Sequence, residues 1–579
     1  MFHASRKVKP RSRRGAIVVL AAILLVFMIG MIAFALDIGY IVLVRSQLQV
    51  AADAAALAGA AASNLARADM ETVAKQYAAD NKAGGRAVKL NSSDIQYGYW
   101  DTNARVFTPS TSPSNAVRVT ARTDQNTTGQ TGLFFARIFN MSSVSQQASA
   151  VATANPRDIA FVIDLSGSMN DDTDPDNTQD INSTYAPQGY PTIGSDLINQ
   201  VYADFGFNTT YPNEPVQYIG QSLGVTSGGD PLTKLSSKTG PLSSSSIPTK
   251  YRIKSTDSSS VRKQKAYSWA MDVQVPQVMP AAKPTPSSST NYAYWATYFD
   301  SNYRQIGYRS YTHFMMYYGR EMKPDGATYV PLSRFSPDCP RHSEATAGGT
   351  FSFPPREQPT HAARRAMIAA INLIKSRNQS ISDTNQRDWV SIITFDKLNP
   401  APVVLLSLTG NYDTAMAACP NLQACDDSAA CTATETGLLT ASNHIKPQSQ
   451  GGYGRTATDK IVVLLTDGKP NLYSSSSSTL SNYISQHSSS NFYGSSGYYP
   501  QDAALMQTST IQGSHWYLYP VGIGLGCDYN FMDRMARMGA TANENGQGPR
   551  GSGNPADYEA RLTEIFQNII TNPKLRLVQ

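Results

Sequence analysis

The sequence predicts an α/β protein built on a doubly wound, mostly parallel sheet, preceded by a transmembrane helix and a small β-rich domain. Three observations predict it. Residues 15–36 are 22 uncharged, mostly apolar residues. Residues 85–155 alternate apolar and polar positions between turn formers, as half-buried strands do. From Arg157 onward, short continuous apolar runs are separated by helical patterns, the mark of parallel strands buried on both faces.

The apolar run is long enough to cross a bilayer at about 1.5 Å per residue. It is longer than the usual signal-peptide core and its helical pattern runs on through residues 37–62, so a retained anchor is expected rather than a removed signal. Residues 1–14 hold six basic residues and no acid; beyond them 43 basic residues balance 43 acidic ones. The net charge of +6 therefore belongs to the tail. No other basic run supports nucleic-acid binding. By the positive-inside rule the tail stays cytoplasmic and the bulk of the chain is exported from the inner membrane into the periplasm or beyond.

The expected organisation is a basic tail (1–14), an anchor helix with an Ala-rich extension (15–64), a small α+β domain (65–155), and an α/β domain (156–179 and 356–579). A Tyr/Ser-rich insertion (180–355) interrupts the last. In the second region, 133–139 reads as a short helix against a small antiparallel sheet. Strands of the α/β domain are expected at 158–164, 388–395, 402–408, 459–466 and 515–524. Ala363, Ala366, Met367, Ala370, Ile371 and Ile374 share one helical face, as do Tyr558, Leu562, Ile565, Phe566 and Ile569. The insertion is far longer than the usual strand-to-helix loop of about 2–6 residues, and it holds 16 of the 31 Tyr. Its aromatic half, 291–319, is rich enough to pack a small core. It is expected to rim the ligand-binding end of the sheet and govern partner choice, since Tyr gives contact area at low entropy cost. The Ser-rich stretches 225–262 and 474–499 are expected to be flexible.

Asp164, Ser166 and Ser168 form a DxSxS motif at the end of the first strand. Carboxyl ends of parallel strands are where such sheets place ligands. A carboxylate and two hydroxyls in a tight loop offer hard oxygen ligands for Mg2+ or Mn2+. This arrangement resembles the von Willebrand factor A (vWA) family, a Rossmann-like fold, over 158–179 and 356–579. The resemblance implies a metal-ion-dependent adhesion site using the DxSxS residues, a later Thr, and Asp467 in the LLTDG sequence. The family's Thr precedes a Gly-Leu by five residues. Cys431–Leu438 has that spacing, which selects Thr432, with Thr434 as the alternative; the usual Gly-Gly before it is missing. Thr350 in a Gly-Gly-Thr sequence precedes the first helix, where the fold has no ligand loop. The implied partner is a protein whose Asp or Glu joins the ion.

The N-terminal segment resembles TadG-like proteins of the tight-adherence (Flp) pilus-assembly system. The features are Arg14-Gly15 before the apolar run, Asp37 near its end, then Arg45, Gln47, Leu48, Gln49, Ala52, Asp53, Ala55 and Ala56. Val19 stands where pilin-like relatives often carry Glu, which argues against prepilin-peptidase processing. The resemblance implies pilus or envelope components as partners. A metal-independent envelope scaffold is the alternative reading.

Other motifs weigh less. The acids Asp171, Asp172, Asp174, Asp176 and Asp180 lack the Gly and closing Glu of an EF-hand and read as a solvated loop. Gly522–Gly526 lacks the spacing of a dinucleotide loop and reads as a strand end. No HExxH or GxxxxGK[ST] sequence occurs, so no enzymatic activity is expected. Among the five cysteines, Cys419, Cys425 and Cys431 are spaced by six residues. In an exported protein, two of them are expected to be bridged.

The topology is checked by fusing alkaline phosphatase after residue 150. The expected outcome is an active periplasmic reporter; activity only from a cytoplasmic reporter at the same point reverses the orientation.

Overall fold

The structure, a computed structural model, describes residues 14–579 apart from 63–66, 102–104, 111–114, 154, 205–209, 212–216, 227–228, 275–276, 278–304, 307–321, 325–328, 332–340, 380, 382–383, 399–400, 425–430, 457, 488–490, 552, 572–575 and 578–579. The basic tail and most of the aromatic stretch 291–319 lie outside the described residues. The chain divides into two compact units: residues 1–156 with 380–386 and 573–579, and residues 157–379 with 387–572.

In the first unit, helix α1 (Arg14–Ala61) is continuous through the apolar run and the Ala-rich stretch. From Val18 to Leu36 its large apolar side chains are exposed. Beyond that it buries Val44, Leu48, Ala51, Ala52, Ala55, Ala56 and Ala60 against Val117, Val119, Ala121, Ala148, Ala150 and Ala152. Those partners lie on an antiparallel sheet of β1 (Ile95–Asp101), β2 (Val106–Pro109), β3 (Ala116–Thr123) and β4 (Gln146–Thr153), with the pair Arg576–Leu577 adding an edge in the order (576–577)-β4-β3-β1-β2. Alanine on both surfaces lets helix and sheet approach closely. The contact is continued by Gln49 Nε2, which donates to Ser149 O at 3.2 Å, and by the Gly84 amide, which donates to Gln47 Oε1 at 2.9 Å. Helix α2 (Arg67–Ala79) closes the other side of α1 through Met70, Ala74 and Ala78. The expected helix at 133–139 is a short 3-10 turn, Ala136–Phe139, with no buried residue. It does not pack on the sheet, because its apolar side chains point away.

The second unit carries a five-stranded sheet of β5 (Arg157–Asp164), β6 (Trp389–Phe395), β7 (Val403–Thr409), β8 (Asp459–Thr466) and β9 (Tyr517–Gly522), in the order β7-β6-β5-β8-β9. All neighbours are parallel except the edge strand β7, which is antiparallel to β6. Alternation along β5 serves both faces. Ile159, Phe161 and Ile163 face one core with helices Thr360–Asn378 and Tyr558–Thr571. Ala160 and Val162 face the other, with Thr434–Ile445, Tyr499–Gly513 and Tyr529–Met538. The two helical faces read from periodicity are buried as expected, with Ile565 only partly so. Gly437 lets its helix lie against β6, since a Cβ there would meet Phe395 Cδ1 at 2.7 Å.

The described residues of the Ser-rich stretches pack into folded structure rather than forming flexible segments. In 225–262, Leu232, Leu235, Leu242, Ile247, Tyr251 and Ile253 are buried. In 474–499 a helix spans Ser477–Gln486. Serines there serve as caps: Ser258 Oγ accepts from Val261 N at 3.3 Å and Ser476 Oγ from Thr479 N at 3.1 Å. Capping satisfies the orphan amides that a helix start exposes. The expected bridge does not include Cys419, a buried thiol whose Sγ lies 3.4 Å from Ala415 O. It sits inside the apolar core; Cys425 lies outside the described residues.

One buried ion pair braces this unit beside the sheet's carboxyl edge. The Arg364 and Glu357 side chains are fully buried, 3.1 Å apart. Arg364 Nε also donates to Leu422 O at 2.7 Å, and Gln423 Nε2 to Glu357 Oε1 at 2.8 Å. Arg364→Met leaves the Glu357 carboxylate buried without its cation and is expected to cost about 3–5 kcal/mol. The double variant Arg364→Met/Glu357→Leu should recover most of it. Urea denaturation of the three proteins checks both outcomes.

Candidate metal centre

The chain passes from β5 to β6 on one side and later returns to β8 on the other. The carboxyl end of β5 is therefore the switch point of the sheet, where two neighbouring loops part and leave a crevice. Backbone bonds carry the register into those loops: Leu165 N donates to Phe395 O at 2.8 Å and Ile523 N to Thr466 O at 3.1 Å.

Asp164 ends β5, fully buried. Its Oδ1 accepts the Ser166 amide at 2.9 Å and its Oδ2 the Thr466 hydroxyl at 2.6 Å. The Ser166 and Ser168 hydroxyls are 3.0 Å apart, and Ser168 Oγ donates to Asp467 Oδ1 at 2.9 Å. Thr432 comes from the loop before Thr434–Ile445. Its amide donates to Asn471 Oδ1 at 2.8 Å. A Cβ on Gly468 would lie 3.7 Å from Ser168 Oγ and 3.8 Å from Thr432 Oγ1, which places those two hydroxyls on one side of the same turn. The structure thus gathers Asp164, Ser166, Ser168, Thr432 and Asp467 around one point. Thr434 opens its helix, and its buried hydroxyl has no hydrogen-bond partner. Thr350 is in a hairpin, paired with Ala345, and is no part of the cluster.

The electrostatics are one-sided. Burial pushes the Asp164 carboxyl up to about 6, against the hydrogen bonds from Thr466 and Ser166. Burial, then the Asp164 charge, drives Asp467 well above the ordinary carboxyl range; Asp171 and Asp172 add to it. Asp172 is itself buried and pushed up to about 7, despite a hydrogen bond from the Tyr558 hydroxyl. This corrects the reading of 171–180 as a solvated loop. Asp171, Asp176 and Asp180 are exposed, but Asp172 turns inward because Tyr558 offers it a buried donor. The largest charge effects on Asp467 come from Asp164, Asp171 and Asp172. Two ionised carboxylates in such a place would cost several kcal/mol each unless a cation answered them.

Gly524, at φ +81°, crosses beside the cluster, and a Cβ there would come within 3.2 Å of Asp467 Cβ. The Gly522–Gly526 run is therefore the wall of the site. Sequence reasoning also missed Thr466, Asn471 and Glu435. Glu435 Oε2 accepts the Ser474 amide at 2.6 Å and so holds the loop that follows Asp467. Thr466 was visible beside Asp467; nothing in the sequence pointed to the others.

A second cluster is absent from the sequence reading. His342, Glu344 and His361 bring three potential ligand atoms within 4.8 Å of one another. Arg365 Nη1 already holds Glu344 Oε2 at 2.7 Å. Burial pushes Glu344 up, but hydrogen bonds from His342 and His361 outweigh it and hold the carboxyl below its usual range. A carboxylate so compensated ties the 342–353 hairpin to the helix Thr360–Asn378 and gives no reason to recruit an ion.

Comparison with known proteins agrees with this architecture. Residues 349–469 match the family described as von Willebrand factor type A domain. The match begins near the end of the insertion, which separates β5 and its DxSxS residues from the rest of the domain in sequence. The second unit is thus a vWA domain. Residues 15–62 match the Flp pilus-assembly TadE/G-like family and residues 51–154 the Tad-like Flp pilus-assembly family. The three matches in this order are those of a TadG-like Flp pilus-assembly protein with a vWA domain. No curated protein sequence matches the chain. Among solved structures, the vWF domain of the type V pili tip protein Mfa5 from Porphyromonas gingivalis is similar at 14% identity and a TM-score of 0.27, over 37% of this chain and 89% of that one. Proximal thread matrix protein 1 from the mussel byssus, with a zinc-occupied MIDAS motif, is similar at 14% identity and a TM-score of 0.24, over 35% of this chain and 42% of that one. The pilus adhesin RrgA from Streptococcus pneumoniae gives 11% identity and 0.25, over 36% and 42%.

The carboxyl shifts set a pH dependence. Between the ordinary value of 3.8 and about 6 for Asp164, or about 7 for Asp172, the folded chain holds protons that the unfolded chain has released. Stability contributed by these groups is therefore present at low pH and lost as pH rises through that window. Bound divalent ion should stabilise most above the window, by about 2.7 kcal/mol at a hundred times its Kd. The expected melting curves show a Mg2+-induced rise in Tm at pH 7.5 that shrinks toward pH 5. An equal rise at both pH values contradicts the assignment.

Proposed function

We propose that the chain is a membrane-anchored, exported vWA protein that captures a partner protein through a divalent cation, acting in Flp-type pilus assembly or surface attachment. The observation that carries this reading is the convergence of two buried carboxylates and three hydroxyls at the sheet's switch point, where the largest charge effects on Asp467 come from other acids. The residues fit a hard divalent ion. Asp164, Ser166, Ser168, Thr432 and Asp467 would hold it, and their all-oxygen chemistry suits Mg2+ or Mn2+. When bound, the ion supplies positive charge to an otherwise acidic pocket and a coordination position that a partner's Asp or Glu takes in place of water. The chain's own side chains set direction: Thr466 and the Ser166 amide fix the two Asp164 oxygens, and Gly524 keeps the wall thin.

The function proposed is binding rather than catalysis. Ser166 faces Ser168, and among the described residues no imidazole is hydrogen-bonded to either hydroxyl, so neither has the base that a nucleophile needs. The exported body, the inner-membrane location and partners among pilus or envelope components rest on the apolar helix and the matched families. No nucleic-acid partner is proposed, because the charge beyond residue 14 is balanced. The inserted helices Thr178–Tyr185 and Ile193–Asp204 follow the DxSxS loop directly. Tyr185 is buried close enough to feel the Asp172 charge. That neighbourhood supports a role for the insertion in shaping the site.

A metal-independent scaffold is favoured by one observation: the hydrogen bonds among Asp164, Thr466, Ser166, Ser168 and Asp467 already link the loops without an ion. Calorimetric titration separates the two readings. The wild-type protein is expected to bind one Mg2+ or Mn2+, and Asp164→Ala none, since it deletes an anionic ligand at the strand end. Ser166→Ala should bind more weakly than wild type but more tightly than Asp164→Ala. A folded wild type that takes up neither ion sinks the metal reading and leaves the scaffold.

A further inference from the structure

The turn over residues 133–141 places its apolar side chains outward. Phe134 is 63% exposed, Ile138 81%, Phe139 79% and Met141 56%, with Phe135 also exposed. Its backbone is nevertheless well tied. Leu133 N donates to Ser142 O at 3.0 Å and Met141 N to Ala136 O at 3.1 Å. Asn140 closes the turn at φ +63°. An ordered turn that presents five large apolar side chains in sequence is not explained by packing within the first unit.

Its position says what covers it. Asp37 directly follows the uncharged run 15–36 and is buried. Its carboxylate accepts the amides of Phe134, Phe135 and Ala136 at 2.8, 3.0 and 2.7 Å. The Tyr40 and Phe134 rings meet edge to face, with centroids 5.2 Å apart. The turn is thus fixed to α1 where the apolar span ends, the level at which aromatic side chains gather at a bilayer surface. Arg137, exposed on the same turn, lines a cleft with Arg86 and Tyr40, so cations stand beside the apolar tip at headgroup level.

We propose that the Phe134–Met141 turn is a second membrane contact, in which Phe134, Phe135, Ile138, Phe139 and Met141 enter the lipid interface around the end of α1 and Arg137 meets lipid phosphate. The proposal rests on α1 being the membrane anchor. It gives the first unit two points on the bilayer, a span and a wedge, with Asp37 as the positioning residue between them. Two points fix the orientation of that unit about the helix axis, which a single span leaves free. It also accounts for an acid at the edge of the span: its charge is spent on three amides that the turn would otherwise leave facing lipid.

The full-length protein is reconstituted in vesicles of phosphatidylethanolamine and phosphatidylglycerol, with a benzophenone-bearing phenylalanine analogue placed singly at Phe139, Phe27 or Val106. Phe27 lies within the span. Val106 pairs with Asp101 at the opposite end of the sheet, beyond the region where Gly59 of α1 meets Val117. After illumination, lipid adducts are counted by mass spectrometry. The expected yield at Phe139 approaches that at Phe27 and exceeds that at Val106 by about tenfold, as for an interfacial side chain. Asp37→Ala should lower the Phe139 yield and leave Phe27 unchanged. A Phe139 yield no higher than Val106, with Phe27 labelled, overturns the wedge alone, as does cross-linking of Phe139 to a second copy instead of lipid. No lipid adduct at Phe27 overturns the anchor and the wedge together.

Discussion

Burying carboxylates at the end of the central strand is the constraint on which the vWA unit turns. Asp164 cannot leave its place without breaking the register of β5, because the residues before it alternate between two packed cores. Asp467 follows β8 directly and is held as firmly. The sheet therefore brings two acids together in a region that water does not reach, and burial raises both. The hydroxyls of Ser166, Ser168 and Thr432 soften the cost by hydrogen bonding but carry no charge. A cation is the simplest species that turns this arrangement from a strain into a binding site.

The first unit solves a different problem. Its helix carries a run apolar and long enough to cross a membrane and also packs on a sheet. The sequence changes from large side chains, Leu, Ile and Phe, to alanine at the point where the surroundings change. Alanine pays little side-chain entropy and lets the sheet approach. The residues shared with TadG-like sequences thereby acquire physical reasons. Leu48, Ala52, Ala55 and Ala56 are the helix side of that contact, Gln47 and Gln49 tie its edges, and Asp37 holds the 133–141 turn where the apolar run ends.

Much of this was legible in the sequence because periodicity reports burial directly. The strand at 158–164 and the helical face from Ala363 to Ile374 could be read as they stand, since each residue's place is set by its own element. Asp164 and Asp467 were legible for the same reason, lying at strand ends. Thr432 was harder, since its loop lacks the usual glycines and its place depends on Asn471, a residue of another loop. Asp172 was misread because its burial depends on Tyr558, almost four hundred residues later. The Ser-rich stretches were misread because composition counts serines without asking which ones cap helices. For Thr432 and Asp172 the deciding contact is long-range, and local pattern does not carry it.

The central claim is that one divalent cation neutralises the Asp164–Asp467 pair. The most direct measurement is electron paramagnetic resonance of Mn2+ added to the full-length protein. The account predicts one bound Mn2+ per chain with an all-oxygen environment, competed by Mg2+ and lost in Asp164→Ala. Free Mn2+ alone in the wild-type spectrum, with the domain folded, would contradict it.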